Sequence, residues 1–405
     1  MTTWRTERLT TTPQDHGDID QRGTPPEQPA KLKRAVTQRD VAIRCGLHQS
    51  TVSRVYRRDP MIPLETIERV LAVAHEMGYN PAHHSLASRL VSYRHGHAVI
   101  NNMVAMSAPP TFMYYHYDAA LFRGVSAELM QAGFALVLTD LSSALYEDKA
   151  EFPLCITRGD VDGILCYYAP DEIQRLAERR QQTPALAGKP VVTMIFANEA
   201  FSAVATDDQQ GAYLAARHLL ELGHRHLLYL CTEYDPHPDT TQARRLAGTR
   251  RALTEFGLDP VAHVHLFRVI YEWLNPLWIS QTVRLPSTVG NEHSLVRYLR
   301  EHPAVTAILG MNDNTAIIAW TLLNQAGYHV PTDISIIGFD DVDPYVDEQG
   351  RNLLTTVRLP LEQVGQQAAR LLVQQITGRD EDRAQLILPV ELVVRASTGP
   401  AALRR

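Results

Sequence analysis

The sequence predicts two architectures in succession: a small all-α module near the N-terminus and a larger α/β body behind it. Three observations predict them. Short helix-period segments, closed by glycines, fill residues 35–82; beyond His97, near-continuous apolar runs alternate with amphipathic ones; and charge changes sign between the two regions. Residues 31–96 hold eleven Lys and Arg against five Asp and Glu, a net +6, whereas residues 1–30 sum to −2 and residues 97–405 to −10. A basic head on an acidic body means that only the head suits a polyanion.

Residues 1–34 are polar and lack apolar periodicity, so they are expected to be disordered. Thr37 followed by Asp40 resembles a capping box, Val41, Ala42 and Cys45 share one face, and Gly46 sits where a left-handed residue would end a helix. After the turn "GLH", Gln49 to Tyr56 forms a second helix with Val52 and Val55 inward and Gln49, Ser50, Ser53 and Arg54 outward. From Pro63, the positions Ile67, Val70, Leu71, Ala74 and Met77 follow the helical period of a third, closed by Gly78 and Pro81.

In the body, "AVINNMVAM", "FALVLTD", "VDGILCYY", "PVVTMIFA", "HLLYLCT", "VTAILG" and "ISIIGFD" read as buried strands. Between them, residues 118–132, 209–222, 244–256, 314–326 and 361–376 read as helices. Apolar strands alternating with helices imply parallel sheets covered on both faces.

Several function classes are disfavoured. No apolar run is long enough for a spanning helix, and the N-terminus lacks the apolar core of a secretory signal, so cytoplasmic residence is expected. The cysteines Cys45, Cys155, Cys166 and Cys231 have no metal-ligand or disulfide spacing. No metal site, cofactor or catalytic residue is expected: there is no P-loop, no G-x-S-x-G and no H-E-x-x-H. Asp162 and Asp313 as a carboxylate pair is the one enzymatic alternative.

Two helices joined by a tight glycine-containing turn, the second with a polar outer face, form a helix-turn-helix. Such a helix fits the major groove, where Gln pairs with adenine, Arg with guanine and Ser with several base edges. Gln49, Ser50 and Arg54 are the candidates for base reading, with phosphate contact the alternative for Arg54; Thr51, Ser53, Arg57 and Arg58 are candidates for backbone contact, and Thr37 is a further DNA-binding candidate. The plain alternative is a surface three-helix bundle with a solvated charged face.

"VTQRDVAIRCGLHQSTVSRVYRR", continued to "GYNP", resembles the headpiece of the LacI/GalR family of bacterial repressors, with Asp40, Val41, Ala42, Gly46, Thr51, Val52, Ser53 and Arg54 on the matching pattern. His48 and Pro63 stand where that pattern has Ser or Thr caps, which predicts weaker capping. Residues 83–96 resemble the family's hinge helix, with Ala87 and Leu90 as minor-groove contacts and Leu90 as a wedge. Ordinary linker packing is the alternative there. Residues 97–399 resemble its effector domain through "FRGV", "DVDGIL", "TDDQQGAYLAARHLLELGHRHLLYL", "RRLAGTRRAL" and "GMNDNTAIIAWTLLNQAGYHVPTDISIIGFDD"; 400–405 are a tail.

The resemblance implies a helix-turn-helix headpiece joined to a two-lobed α/β domain of the periplasmic-binding-protein type I fold. It also implies control by a small molecule, a sugar being the commonest expectation; because a single helix-turn-helix reads only a half-site, a homodimer on pseudo-palindromic double-stranded operator DNA is expected. Carried over position by position, it implies effector contacts at Tyr117, Arg245 and Asp313; Asp118 lies beside Tyr117, with Tyr114 and Tyr115 as neighbours, and Trp273 or Trp278, from the stretch 261–291 that follows no pattern, is the candidate to close the pocket from the other lobe. A solute-binding protein sharing the body is the alternative function.

Overall fold

The computed structural model describes residues 36–56, 59, 61–79, 100–108, 116–147, 151–232, 240–269, 293–378 and 383–402. The expectations for the tail 1–34, the hinge 83–96, Arg57, Arg58, Ala87, Leu90, Tyr114, Tyr115, Trp273 and Trp278 lie outside the described residues. The chain divides into two compact units, residues 1–99 and 100–405.

In the first unit, α1 (Gln38–Cys45), α2 (Gln49–Tyr56) and α3 (Leu64–Glu76) enclose one core of Val41, Ala42, Val52, Val55, Val70, Ala74 and Tyr79. The capping box forms: the Asp40 amide donates to Thr37 Oγ1 at 3.3 Å and the Thr37 amide to Asp40 Oδ2 at 2.8 Å. Gly46 ends α1 at φ +65°, a conformation costly for any residue with a Cβ. His48 does more than a weak cap would. Its Nδ1 accepts from the Ser50 amide at 3.3 Å and lies 2.7 Å from Ser50 Oγ, so the imidazole takes the serine's place at the start of α2. Pro63 makes no side-chain cap, as expected. Leu71 departs from expectation: it is 46% exposed, because two short partner helices cover only the narrow stripe through Val70 and Ala74.

The second unit is built on two sheets of six strands each. The first lobe contains β1 (Met103–Ser107), α4 (His116–Gln131), β2 (Ala135–Thr139), α5 (Ser142–Tyr146), α6 (Leu154–Thr157), β3 (Gly163–Cys166), α7 (Pro170–Gln182), α8 (Pro184–Ala187), β4 (Val191–Ile195) and β5 (Ser202–Thr206). The chain then crosses over for α9 (Asp208–Glu221), β6 (His226–Cys231), α10 (Thr241–Glu255), α11 (Pro260–His263), β7 (Val264–Arg268), α12 (Ser294–Glu301), β8 (Val305–Leu309), α13 (Asp313–Gln325), β9 (Ser335–Asp340) and β10 (Thr355–Arg358). It returns to the first lobe for α14 (Leu361–Ile376) and β11 (Gln385–Leu388), and ends in the second with β12 (Glu391–Val393).

The strand orders are β11-β5-β4-β3-β1-β2 and β12-β10-β9-β8-β6-β7. Every pairing is parallel except β10 with β12. The predicted strands and helices all appear, and β3, β4, β5, β8 and β9 are buried along their whole length, as sheets covered on both faces require.

Two helix pairs clamp the lobes through glycine. A Cβ on Gly124 of α4 would stand 2.0 Å from the Glu362 carbonyl oxygen, and one on Gly365 of α14 would stand 2.2 Å from that of Leu121, so α4 and α14 touch backbone to backbone. Gly248 of α10 meets the Gln209 carbonyl of α9 in the same way, at 2.0 Å.

Candidate functional site

On the first unit, α2 buries only Val52 and Val55, which leaves Gln49, Ser50 and Arg54 exposed and Thr51 and Ser53 half-buried at the flanks. The outer side of α2 is therefore polar and exposed on a packed scaffold. Arg54 is held rather than floating: its Nε donates to Asp59 Oδ2 at 2.8 Å, and Asp59 also accepts from the Met61 amide at 3.0 Å. Hydrogen bonding to Asp59 raises the Arg54 pKa further. Thr37 is engaged with Asp40 at the start of α1.

In the second unit, the carboxyl ends of the parallel strands of both sheets face one cleft, the place where open α/β sheets bind ligands. Its centre is Arg245, 7% exposed, on α10. Nε donates to Asp208 Oδ1 at 2.7 Å, Nη2 to Asp340 Oδ1 at 3.2 Å and Nη1 to the Met311 carbonyl, while the guanidinium lies 3.7 Å over the Phe339 ring. Burial works against the charge, but Asp208 and Asp340 outweigh it and raise the Arg245 pKa. The cost falls on Asp340. Burial pushes its carboxyl up to about 7; Arg245 opposes this and Asp208 and Asp343 add to it. Asp340 also has φ +105° and Asp341 φ +56°, backbone strain concentrated at the cleft.

Tyr117, at the start of α4, stacks on Tyr167 with centroids 6.4 Å apart. Burial raises its hydroxyl pKa well above the ordinary value, and Tyr167, Asp340 and Asp208 raise it further, which places the ring against the carboxylate group around Arg245. Asp118 is buried one residue on. Asp313, 1% exposed, gives both oxygens to the protein: one accepts from Thr356 Oγ1, the other from the Val342 amide at 2.9 Å and the Asp343 amide at 3.4 Å. Burial raises its pKa well above the ordinary carboxylate value, followed by Asp340. Its carboxylate thus ties down the loop that carries Asp340 and Asp341.

Asp162 is separately employed in the first lobe, accepting from the Asn101 and Met103 amides at 2.8 and 3.0 Å. It makes no pair with Asp313, and the enzymatic alternative built on that pair falls.

Sequence reading missed Asp208, Asp340, Tyr167 and Tyr229. The last is 2% exposed, neighbours Arg245 and Asp208, and has no partner for its hydroxyl among the described residues. A cavity of about 460 Å³ opens beside Asp340 and Asp341, bordered by His116, Arg123, Arg358 and Leu361.

A headpiece profile described as "Bacterial regulatory proteins, lacI family" matches residues 37–82, and a "Periplasmic binding protein-like domain" matches residues 216–398. The transcriptional regulator AglR of Rhizobium meliloti (strain 1021) is 30% identical over 362 residues, covering 88% of this chain and 92% of its own. The chain belongs to the LacI family. This LacI-family chain is also 29% identical to the transcriptional regulator DegA of Bacillus subtilis (strain 168), over 89% of its own length and 97% of DegA. Among solved structures, a LacI family regulator from Enterococcus faecium with bound ribose is 25% identical, covers 74% of this chain and 99% of that one, and gives a TM-score of 0.55. The Lac repressor dimer on operator, at 22% identity and a TM-score of 0.61 over 90% of this chain and 100% of that one, shares the fold. The relatives are transcriptional regulators, not enzymes, and no helix among the described residues is long and apolar enough to cross a membrane.

Proposed function

We propose that this LacI-family regulator is a cytoplasmic repressor, a homodimer that reads a pseudo-palindromic operator and is controlled by a sugar bound between the lobes. The observation that carries it is the pairing of an exposed polar α2 face with a cleft centred on a buried arginine. Gln49, Ser50 and Arg54 read bases; Thr37, Thr51, Ser53, Arg57 and Arg58 hold phosphates, and Ala87 and Leu90 contact the minor groove. One headpiece meets one half-site, so two are needed for specific binding.

In the cleft, a ligand hydroxyl displaces part of the Arg245 pairing with Asp208 and Asp340, Tyr117 lies against the sugar ring, and the Tyr229 hydroxyl gains a partner. Asp118 and Trp273 complete the pocket, and Asp313 serves it by holding the Asp340 loop. Binding that favours one lobe arrangement over another shifts operator affinity by the same differential free energy, about 1–3 kcal/mol.

The test is selection of bound duplexes from a random DNA pool, then titration of the selected duplex at two salt concentrations with and without a panel of neutral sugars. A pseudo-palindrome, a steep salt dependence and its loss in Arg54→Ala support the reading. Tight sugar binding by a protein that enriches no duplex at any salt would make it a solute binder instead.

A further inference from the structure

At the end of the second lobe opposite the cleft, four histidines meet. His226 opens β6, His263 closes α11, His265 is the second residue of β7 and His302 follows α12. The cleft lies at the carboxyl ends of these strands and the histidines at the amino ends, a strand length of roughly 15–20 Å away. His226 Nδ1 lies 3.2 Å from His265 Nε2. The His263 ring stacks on His226 with centroids 4.7 Å apart, and His302 sits edge-on to His265 at 5.6 Å.

We propose that His226 and His265, completed by His263 and His302, form a binding site for a divalent transition-metal ion of the zinc, nickel or copper kind. Two nitrogens bound tetrahedrally at 2.0–2.1 Å from such an ion stand about 3.3 Å apart, close to the separation seen here.

The opposite ring nitrogens are already fixed. His263 Nδ1 lies 3.0 Å from the Asp259 carbonyl and His302 Nδ1 lies 2.9 Å from the Tyr298 carbonyl, which directs each lone pair to Nε2. His265 Nδ1 faces the Tyr298 hydroxyl at 3.3 Å, and the Ala262 carbonyl faces His226. Anchoring of this kind orients metal-binding imidazoles and sets their tautomer. Neither Nε2 of His263 nor that of His302 has a hydrogen-bond partner among the described residues.

Burial first, and the neighbouring histidines second, lower the His226 and His265 pKa values from the ordinary one, which favours the neutral form that a metal ligand needs. A donor set of imidazole alone favours these ions over magnesium and calcium, which take oxygen. Among the described residues, no three ligating side chains yet converge on one point. The preset part of the site is thus the His226–His265 pair, and binding releases the His263 or His302 ring from its carbonyl anchor to bring in a third nitrogen, after which the ion ties β6, β7, α11 and α12 together.

The test uses full-length protein without an affinity tag, stripped with chelator and titrated with zinc and then nickel by calorimetry. One ion per chain is expected, with affinity falling on the order of tenfold or more in His226→Asn and in His265→Ala. It should be unchanged in His329→Ala, whose exposed ring pairs with Asp333 and is no part of the cluster. If the strand variants fail to fold, His302→Ala lies beyond the strands, and the tetrahedral visible absorption of the cobalt-loaded protein should change there. The absence of saturable binding, or binding undiminished in the three site variants, overturns the proposal.

Discussion

His116 Nδ1 lies 2.8 Å from Asp343 Oδ1, so the start of α4 in the first lobe is joined to the loop after β9 in the second. The pair spans the mouth of the cleft, and the histidine side chain is 74% exposed. Exposed pairs of this kind contribute little to stability, roughly 0.2–1 kcal/mol. Their effect is felt where two lobe arrangements are nearly balanced. Asp343→Asn should therefore leave the melting temperature within about 2 °C. The radius of gyration by small-angle scattering should rise as the lobes open. An unchanged scattering curve would show that the pair does not restrain the lobes.

Arg245 is a different case, because its partners are buried with it. Arg245→Met leaves Asp208 and Asp340 facing each other without a cation, a loss of about 3–5 kcal/mol of the kind seen when one member of a buried pair is removed. Thermal melts should show the destabilisation. Adding Asp208→Asn and Asp340→Asn should restore much of it, while the response of operator binding to effector stays abolished.

Asp340 gives the second lobe a pH dependence whose sign follows from its raised pKa. A carboxyl that titrates near 3.8 unfolded and at about 7 folded binds its proton more tightly in the native state. Its contribution is full below pH 3.8 and is lost as pH rises toward 7. Asp340→Asn should flatten the fall in stability between about pH 4 and pH 7 in urea titrations. A slope identical to that of the parent protein would argue that Asp340 remains ionised throughout.

The glycine contacts make a further prediction. Gly248→Ala places a methyl group against the Gln209 carbonyl and must push α9 and α10 apart, at a cost of about 1–3 kcal/mol or more. Gly188→Ala, where nothing lies within 4 Å of the new Cβ, serves as control and should stay near neutral. Denaturant midpoints compare the two.

What sequence alone could disclose follows from distance along the chain. The headpiece was legible almost to the residue, because capping boxes, left-handed glycines and helical periods act within a few positions. Leu71 was misread since the period does not say how wide a stripe its neighbours cover. Strands β5, β7, β10, β11 and β12 went unread: β5 is built of small residues, β7 mixes polar and apolar residues in "VHLFR", and β10, β11 and β12 are only three or four residues long. In the cleft, Arg245 was found from its motif, but its partners lie 37 and 95 positions away. The acidic pair Asp340 and Asp341 at the end of a buried strand was visible in the sequence, and the strand-end rule applied to "FALVLTD" and "ISIIGFD" alike would have marked it.

The lobes exchange chain three times, and this has a consequence for how the molecule is made. During synthesis the headpiece is a contiguous segment and can fold as soon as it leaves the ribosome. The first lobe has to wait: α14, which packs on α4, and β11, which pairs with β5, are encoded after residue 360, beyond almost the whole of the second lobe. Until they emerge, β5 presents an unpaired edge. The body therefore becomes complete only near the end of translation, so a nascent repressor gains its DNA-reading face well before the cleft that governs it.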